Sequence, residues 1–301
     1  GIVHDISNTG ATLFVEPFEA VDLCNQWREM AAETKRAEER ALRRLSGFLG
    51  EIYDKIISSL KATAEIDLII ARARLAKAMD ASPIEMLGPG SDTPVNLIEA
   101  RHPLLGSNVV PVTVSVGPNF QGLVITGPNA GGKTVCLKTV GLLSLMHQTG
   151  LQIPASGDSG LGIFDMVYAD IGDEQSIERS VSTFSSHLSN VTAILDNATP
   201  HSLVLLDELG TGTDPEEGSA LARAVLAEFV KRDVTVIATT HHRSVAEFAG
   251  HSDEIENASM ELDPSTHVPT YHLVMGLPGR SYGLAIARHL GLHESILSHA
   301  E

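Results

Sequence analysis

Four residues in the stretch GPNAGGKT (residues 127–134) have types and spacing that could do chemistry: Gly127, Gly132, Lys133 and Thr134, in the pattern G-x-x-x-x-G-K-[ST]. Glycines at this spacing let backbone N–H groups wrap a phosphate. A following lysine reaches the β- and γ-phosphates of a nucleotide, and a threonine hydroxyl is a hard ligand for Mg²⁺. The loop directly follows the apolar run Leu123-Val124-Ile125-Thr126 and precedes a helix-like segment at 133–148. That is the strand-to-helix setting such a loop requires, and the helix N-terminus adds its own attraction for an anion. The expectation is ATP held by Gly127, Pro128, Asn129, Ala130, Gly131, Gly132, Lys133 and Thr134, with Mg²⁺ as cofactor.

A phosphate grip needs a metal partner and a group to activate water. LVLLDE (203–208) offers both: four apolar residues read as a buried strand that delivers Asp207 to its C-terminal end. Asp207 suits the hold on Mg²⁺ together with Thr134. Glu208 then stands where a carboxylate polarises the attacking water. After the next apolar run comes TTHH (239–242). The chain has 13 histidines, most of them ordinary surface or core residues. His241 is singled out because it lies one strand beyond the Asp-Glu pair, where it can hydrogen-bond the γ-phosphate or the water. His242 receives no role.

The elements that must position these groups fall into two regions. From Pro17 to Pro83 there is no proline, and Leu23, Trp27, Met30, Leu45, Phe48, Ile52, Ile56 and Leu60 recur at roughly helical spacing. One helix of about 65 residues would run roughly 100 Å, and Gly47 and Gly50 are expected to break it into antiparallel helices. Pro, Gly, Ser and Asp concentrate at 82–94, which sets the expected boundary: a mostly helical region over 1–82 and a second domain over 83–301. In the second region β-rich runs at 109–116, 123–126, 203–206 and 234–239 alternate with helix-like segments at 133–148, 184–196 and 216–231. Alternation of this kind predicts an α/β fold with a mostly parallel sheet. The stretches 255–261 and 268–275 are expected to form an antiparallel hairpin at its edge.

Composition bounds the partners. The net charge is −17, but residues 18–82 carry 11 basic and 11 acidic side chains, whereas 83–301 carry 10 and 25. Any contact with a nucleic-acid backbone belongs on the first stretch rather than on the acidic remainder. Two cysteines, Cys24 and Cys136, are too few for a disulfide framework and suit a reducing, cytoplasmic setting. No uninterrupted apolar run approaches the roughly 18 residues of a membrane span, so no membrane partner is expected. The opening GIVHDISN has neither an initiating Met nor a signal pattern. It reads as the start of a fragment.

GPNAGGKT, DIGDEQS (170–176), STFSSH (182–187), LLDELGTGTDPEEG (205–218) and TTHH occur in the order found in the MutS family of ABC-type ATPases. GIVHDISNTGATLFVEP (1–17), EARHPLL (99–105) and LPGRS (277–281) narrow the resemblance to the second bacterial MutS subfamily, which lacks mismatch-recognition domains. The resemblance covers essentially the whole chain. It implies an ABC-type P-loop ATPase domain preceded by an α-helical lever arm. It also implies a homodimer whose nucleotide sites are shared, with Asn129 on a phosphate oxygen, Ser182 reaching the partner subunit's γ-phosphate, and the GTGTD loop (210–214) crossing between protomers. The motion this drives is linked, in the subfamily, to binding branched DNA and restraining recombination, or alternatively to splitting collided ribosomes, with rRNA as the contact. His242 stands where the subfamily often has Tyr, and Tyr282 where it often has Asn.

Three other classes fit less well. An ABC transporter subunit would carry Leu-Ser-Gly-Gly-Gln shortly before LVLLDE, which this sequence does not. A chromosome-structure ATPase would separate Lys133 from Asp207 by very long coiled coils, yet only 73 residues intervene. A non-enzymatic interaction module would be expected to lose Lys133, Asp207 or Glu208, and all three are present.

Overall fold

The structure is a computed structural model and describes residues 1–88, 91–106, 109–128, 131–172, 183–263, 266, 268–277 and 293. The chain forms two compact units, Gly1–Ile70 and Ala71–Glu301.

In the first unit, β1 (Ile2–Ile6) pairs antiparallel with β2 (Leu13–Glu16). The connecting turn closes through Ser7 N–H to the Thr12 carbonyl at 2.9 Å. Directly after Pro17 begins α1 (Phe18–Ala78), a single helix of 61 residues whose last turns belong to the second unit. This corrects the expectation of antiparallel helices: α1 runs through Gly47 and Gly50 without a break. Each glycine costs a helix only about 1 kcal/mol relative to Ala, and the flanking Ala, Leu, Arg and Glu residues are strong helix formers. At either glycine an added Cβ would meet nothing within 4 Å beyond the helix's own backbone. The apolar residues at helical spacing, among them Trp27, Leu45, Phe48 and Leu60, are exposed.

The second unit is built on a six-stranded sheet. Its strands are β6 (Gly122–Thr126), β8 (Val167–Asp170), β9 (Leu203–Leu206), β10 (Thr235–Thr239), β11 (Ile255–Leu262) and β12 (Pro269–Met275), in the order β12-β11-β6-β10-β9-β8. All neighbours are parallel except β11 and β12, which form the expected antiparallel edge hairpin. The central strands are buried on both faces, so they read as continuous apolar runs, as interior parallel strands do.

Their side chains still alternate between two cores. Leu123, Ile125, Leu203, Leu205 and Ile237 face one way, against Cys136, Leu137, Val140 and Leu143 of α2 (Lys133–Gln148). That core is closed by a smaller sheet, β3 (Glu85–Leu87), β7 (Gly160–Gly162), β4 (Val95–Ala100) and β5 (Val112–Val116), in that order. Val124, Val204, Leu206, Val236 and Ala238 face the other way. They meet α3 (Thr183–Asn197), α4 (Pro215–Lys231) and α5 (Arg243–Ala249). Each fully buried Leu or Val stabilises this packing by about 1.5–3 kcal/mol. Among the described residues no helix is long and apolar enough to cross a membrane.

Candidate functional site

The sheet order sets the site. β6, β10 and β9 are adjacent and parallel, with Ile237 level with both Leu123 and Leu205. Their C-terminal ends therefore lie side by side, and the residues that follow them emerge at one edge. In open α/β sheets this edge is where ligands bind.

Beyond β6 the chain turns tightly. Gly127 has φ +132°, and Gly131 N–H closes onto the Pro128 carbonyl at 2.9 Å. Gly132 takes φ +94° as the residue before α2, a left-handed conformation that strains any residue with a Cβ. The turn leads directly into α2, so the backbone N–H groups of its first turn follow the loop. Lys133, the first residue of α2, is only 2% exposed. Its ammonium donates to the Gly127 carbonyl at 2.7 Å. Burial pushes its pKa below the ordinary lysine value, against the opposing pull of Glu208 and then Asp207. A cation held over its own loop in this way is suited to transfer to an incoming phosphate oxygen.

The structure brings Thr134 and Asp207 together: the Thr134 hydroxyl donates to Asp207 Oδ2 at 2.7 Å. These two oxygens sit as the hydroxyl and carboxylate of a Mg²⁺ site do when phosphate oxygens and water complete the shell. Among the described residues no group of three or more His, Cys, Asp and Glu is arranged to hold a metal. The Thr-Asp pair does not need one, because Mg²⁺ in such sites takes most of its oxygens from phosphate and water. The donor set fits the ion.

Glu208 follows Asp207 with φ +49°. For a residue with a side chain this left-handed conformation costs about 1–2 kcal/mol, so the surroundings must hold it. They do so through Thr239, the last residue of β10 and fully buried. Its hydroxyl donates to Asp207 Oδ1 at 2.5 Å and accepts the Glu208 N–H at 2.8 Å, while its carbonyl accepts the Leu209 N–H at 2.9 Å. One residue further, Thr240 N–H donates to the Ile125 carbonyl at 3.1 Å, tying this end of β10 to the phosphate-loop strand.

His241 is two residues past β10, with its ring centroid 4.5 Å from that of His242. His242 shares a hydrogen bond of 3.1 Å with the Gly210 carbonyl through Nε2, linking the strand end to the 210–214 loop. That loop ends at Asp214, which caps α4 by accepting the Glu216 and Glu217 N–H groups at 2.9 and 3.3 Å. Gly210 and Gly218 let loop and helix touch: a Cβ on Gly218 would lie 2.0 Å from the Gly210 carbonyl oxygen.

The sequence did not single out Asp170, His187 and Asn190. Asp170 ends β8, and its carbonyl accepts the Asp207 N–H at 2.9 Å. Its carboxylate contacts His187 Nδ1 at 2.8 Å and accepts from Asn190 Nδ2 at 3.1 Å, both on α3. Asp170, His187, Asp207 and Glu208 line one cavity. Asp170 and His187 lie in DIGDEQS and STFSSH, but only the pairing of β8 with β9 brings them beside Asp207. Asn129, Ala130 and Ser182 fall outside the described residues, as do most of DIGDEQS and LPGRS.

A family model for MutS domain V matches residues 123–301. Across its whole length the chain is 50% identical to the protein named Endonuclease MutS2 of Thermomicrobium roseum and 49% identical to that of Carboxydothermus hydrogenoformans. It is also 47% identical to the one of Halalkalibacterium halodurans. It spans 39% of the first of these proteins and 38% of the other two. With a domain model over more than half of its residues and nearly half of its positions shared with these proteins, the chain belongs to the MutS family, within its second bacterial subfamily.

Proposed function

We propose that the chain is the ATP-hydrolysing part of its parent protein, an ABC-type P-loop ATPase working with Mg²⁺, and that α1 belongs to the lever arm it moves. The observation that carries this reading is the 2.7 Å contact between Thr134 and Asp207. It joins the helix that starts at the phosphate loop to the strand that presents Glu208. Lys133 releases the Gly127 carbonyl and donates to the β- and γ-phosphate oxygens, while the first N–H groups of α2 hold the phosphates from the loop side. Thr134 and Asp207 would hold Mg²⁺, which would supply charge neutralisation on those oxygens. The Glu208 carboxylate accepts a hydrogen bond from the attacking water and draws its proton as the new P–O bond to the γ-phosphorus forms. The bond from that phosphorus to the β,γ-bridging oxygen breaks, and ADP leaves with its electron pair. His241 hydrogen-bonds the water or the γ-phosphate.

The rest of the proposal rests on family resemblance. Two chains pair as a homodimer, and Ser182 of each completes the other's site. The movement of the arms acts on branched DNA and restrains recombination. The endonuclease in the relatives' name is not carried over, because the groups gathered here are those of phosphoanhydride hydrolysis. Phosphate release from ATP with Mg²⁺, and again with the metal chelated, tests the reading. Metal-dependent release supports it, and no release under either condition overturns it.

A further inference from the structure

Resting on the ATPase reading, we propose that Thr239 is a positioning residue for hydrolysis, one hydroxyl that fixes both the metal-binding carboxylate and the water-activating residue. A threonine hydroxyl has one hydrogen to give and lone pairs to receive, and here both functions are used. The O–H donates to Asp207 Oδ1 at 2.5 Å, which leaves Oδ2 turned to Thr134 at 2.7 Å. The same oxygen accepts the Glu208 N–H at 2.8 Å, and the Thr239 carbonyl accepts the Leu209 N–H at 2.9 Å. Three consecutive residues are thus tied to one residue on the neighbouring strand, which is 0% exposed. Glu208 needs such a tie, because its φ of +49° is not one it would hold unaided. The register makes the tie available: Ala238 is level with Leu206, so Thr239 faces Asp207 across the strand ends.

Thr239→Val keeps the shape and β-branching and replaces the hydroxyl with a methyl group. Asp207 then loses a charge-assisted bond, and the Glu208 N–H loses its acceptor. Thr239→Ser keeps the hydroxyl and removes a methyl group. In the full chain, the Val variant is expected to turn over ATP about 10- to 100-fold more slowly. It should also need several-fold more Mg²⁺ for half-maximal rate, while KM for ATP at saturating Mg²⁺ stays within about twofold because the phosphate loop is untouched. The Ser variant should stay within about threefold of wild type in both quantities. A purely structural role would lower the melting temperature of the Val variant and leave its Mg²⁺ midpoint where it was.

The same three proteins are titrated with a fluorescent ATP analogue over a range of Mg²⁺ concentrations. A Mg²⁺ midpoint for binding shifted to higher concentration in the Val variant alone supports the assignment even if wild type hydrolyses nothing, an outcome that removes the ATPase reading instead. If the Val variant does not fold, Thr239→Ala takes its place against Thr239→Ser. A wild-type rate and Mg²⁺ midpoint in the hydroxyl-free variant, or equal impairment of the Ser variant, overturns the proposal.

Discussion

Replacing Lys133 by Met separates what the buried ammonium does for the fold from what it does for the ligand. In the chain without nucleotide, Lys133 is 2% exposed and its charge is disfavoured by burial. Removing it gives up the 2.7 Å bond to the Gly127 carbonyl and the attraction of Glu208 and Asp207, but also the desolvation cost. These oppose one another, so the net change in stability is expected to be within about 1 kcal/mol. With nucleotide the balance differs. A hydrogen bond between two charged groups in a water-poor site is worth up to about 3 kcal/mol, or roughly 150-fold in affinity.

At a non-hydrolysable ATP analogue concentration near 100 times the wild-type Kd, ligand binding stabilises the wild-type chain by about 2.7 kcal/mol. The same concentration stabilises the Met variant by only about 0.3 kcal/mol. For a unit the size of Ala71–Glu301, each kcal/mol moves the midpoint by about 2–4 °C. Thermal melts with Mg²⁺ should therefore rise by about 5–11 °C for wild type and about 1 °C for the variant, from nearly equal starting points. An equal rise in both proteins, or a variant that melts many degrees lower without ligand, would show that Lys133 serves the fold rather than the ligand.

His147 provides a pH test. It is buried in α2 with Nε2 unpartnered, and burial lowers its pKa from 6.5. The unfolded chain therefore takes up this proton first, so the stability contribution is full above about pH 6.5 and is lost as pH falls below it. The slope is at most about 1.4 kcal/mol per pH unit, and urea unfolding of His147→Leu should show a shallower loss between pH 7 and pH 5 than wild type. In α1, Gly47→Ala and Gly50→Ala should each stabilise the helix by about 0.8–1.0 kcal/mol, since nothing beyond the helix's own backbone lies within 4 Å of either new methyl group. Helical circular dichroism on heating should persist to higher temperature, and an unchanged or lower midpoint would show that the glycines have a conformational role.

The parts of the fold legible in the sequence are those where local pattern and packing agree. Leu123–Thr126, Leu203–Leu206 and Thr235–Thr239 are short apolar runs bounded by turn residues, and each is a central strand. The edge hairpin was legible for a similar reason, as two β-rich stretches, 255–261 and 268–275, close together in the sequence. The course of α1 was not, because glycine spacing marks where a helix can break and helix propensity over 61 residues outweighed it. The smaller sheet was hidden as well: β3 and β7 have three residues each, too short to show a period.

At the candidate site, GPNAGGKT and LVLLDE point to Lys133, Thr134, Asp207 and Glu208. Thr239 and Asp170 act through hydrogen bonds fixed by strand order, with β10 beside β9 and β8 beyond it. A sequence alone does not state that order.

Under the proposed function, Glu208 activates water in a Mg²⁺-dependent ATP site. The most direct test of this role is a single-turnover measurement on wild type and Glu208→Gln, with ATP binding measured in parallel. The amide keeps the size of the carboxylate and the Glu208 N–H bond to Thr239 but does not accept the proton. ATP and Mg²⁺ affinity are expected to be unchanged, with a chemical step slower by about 10²-fold or more. Equal rates in the two proteins would contradict that role.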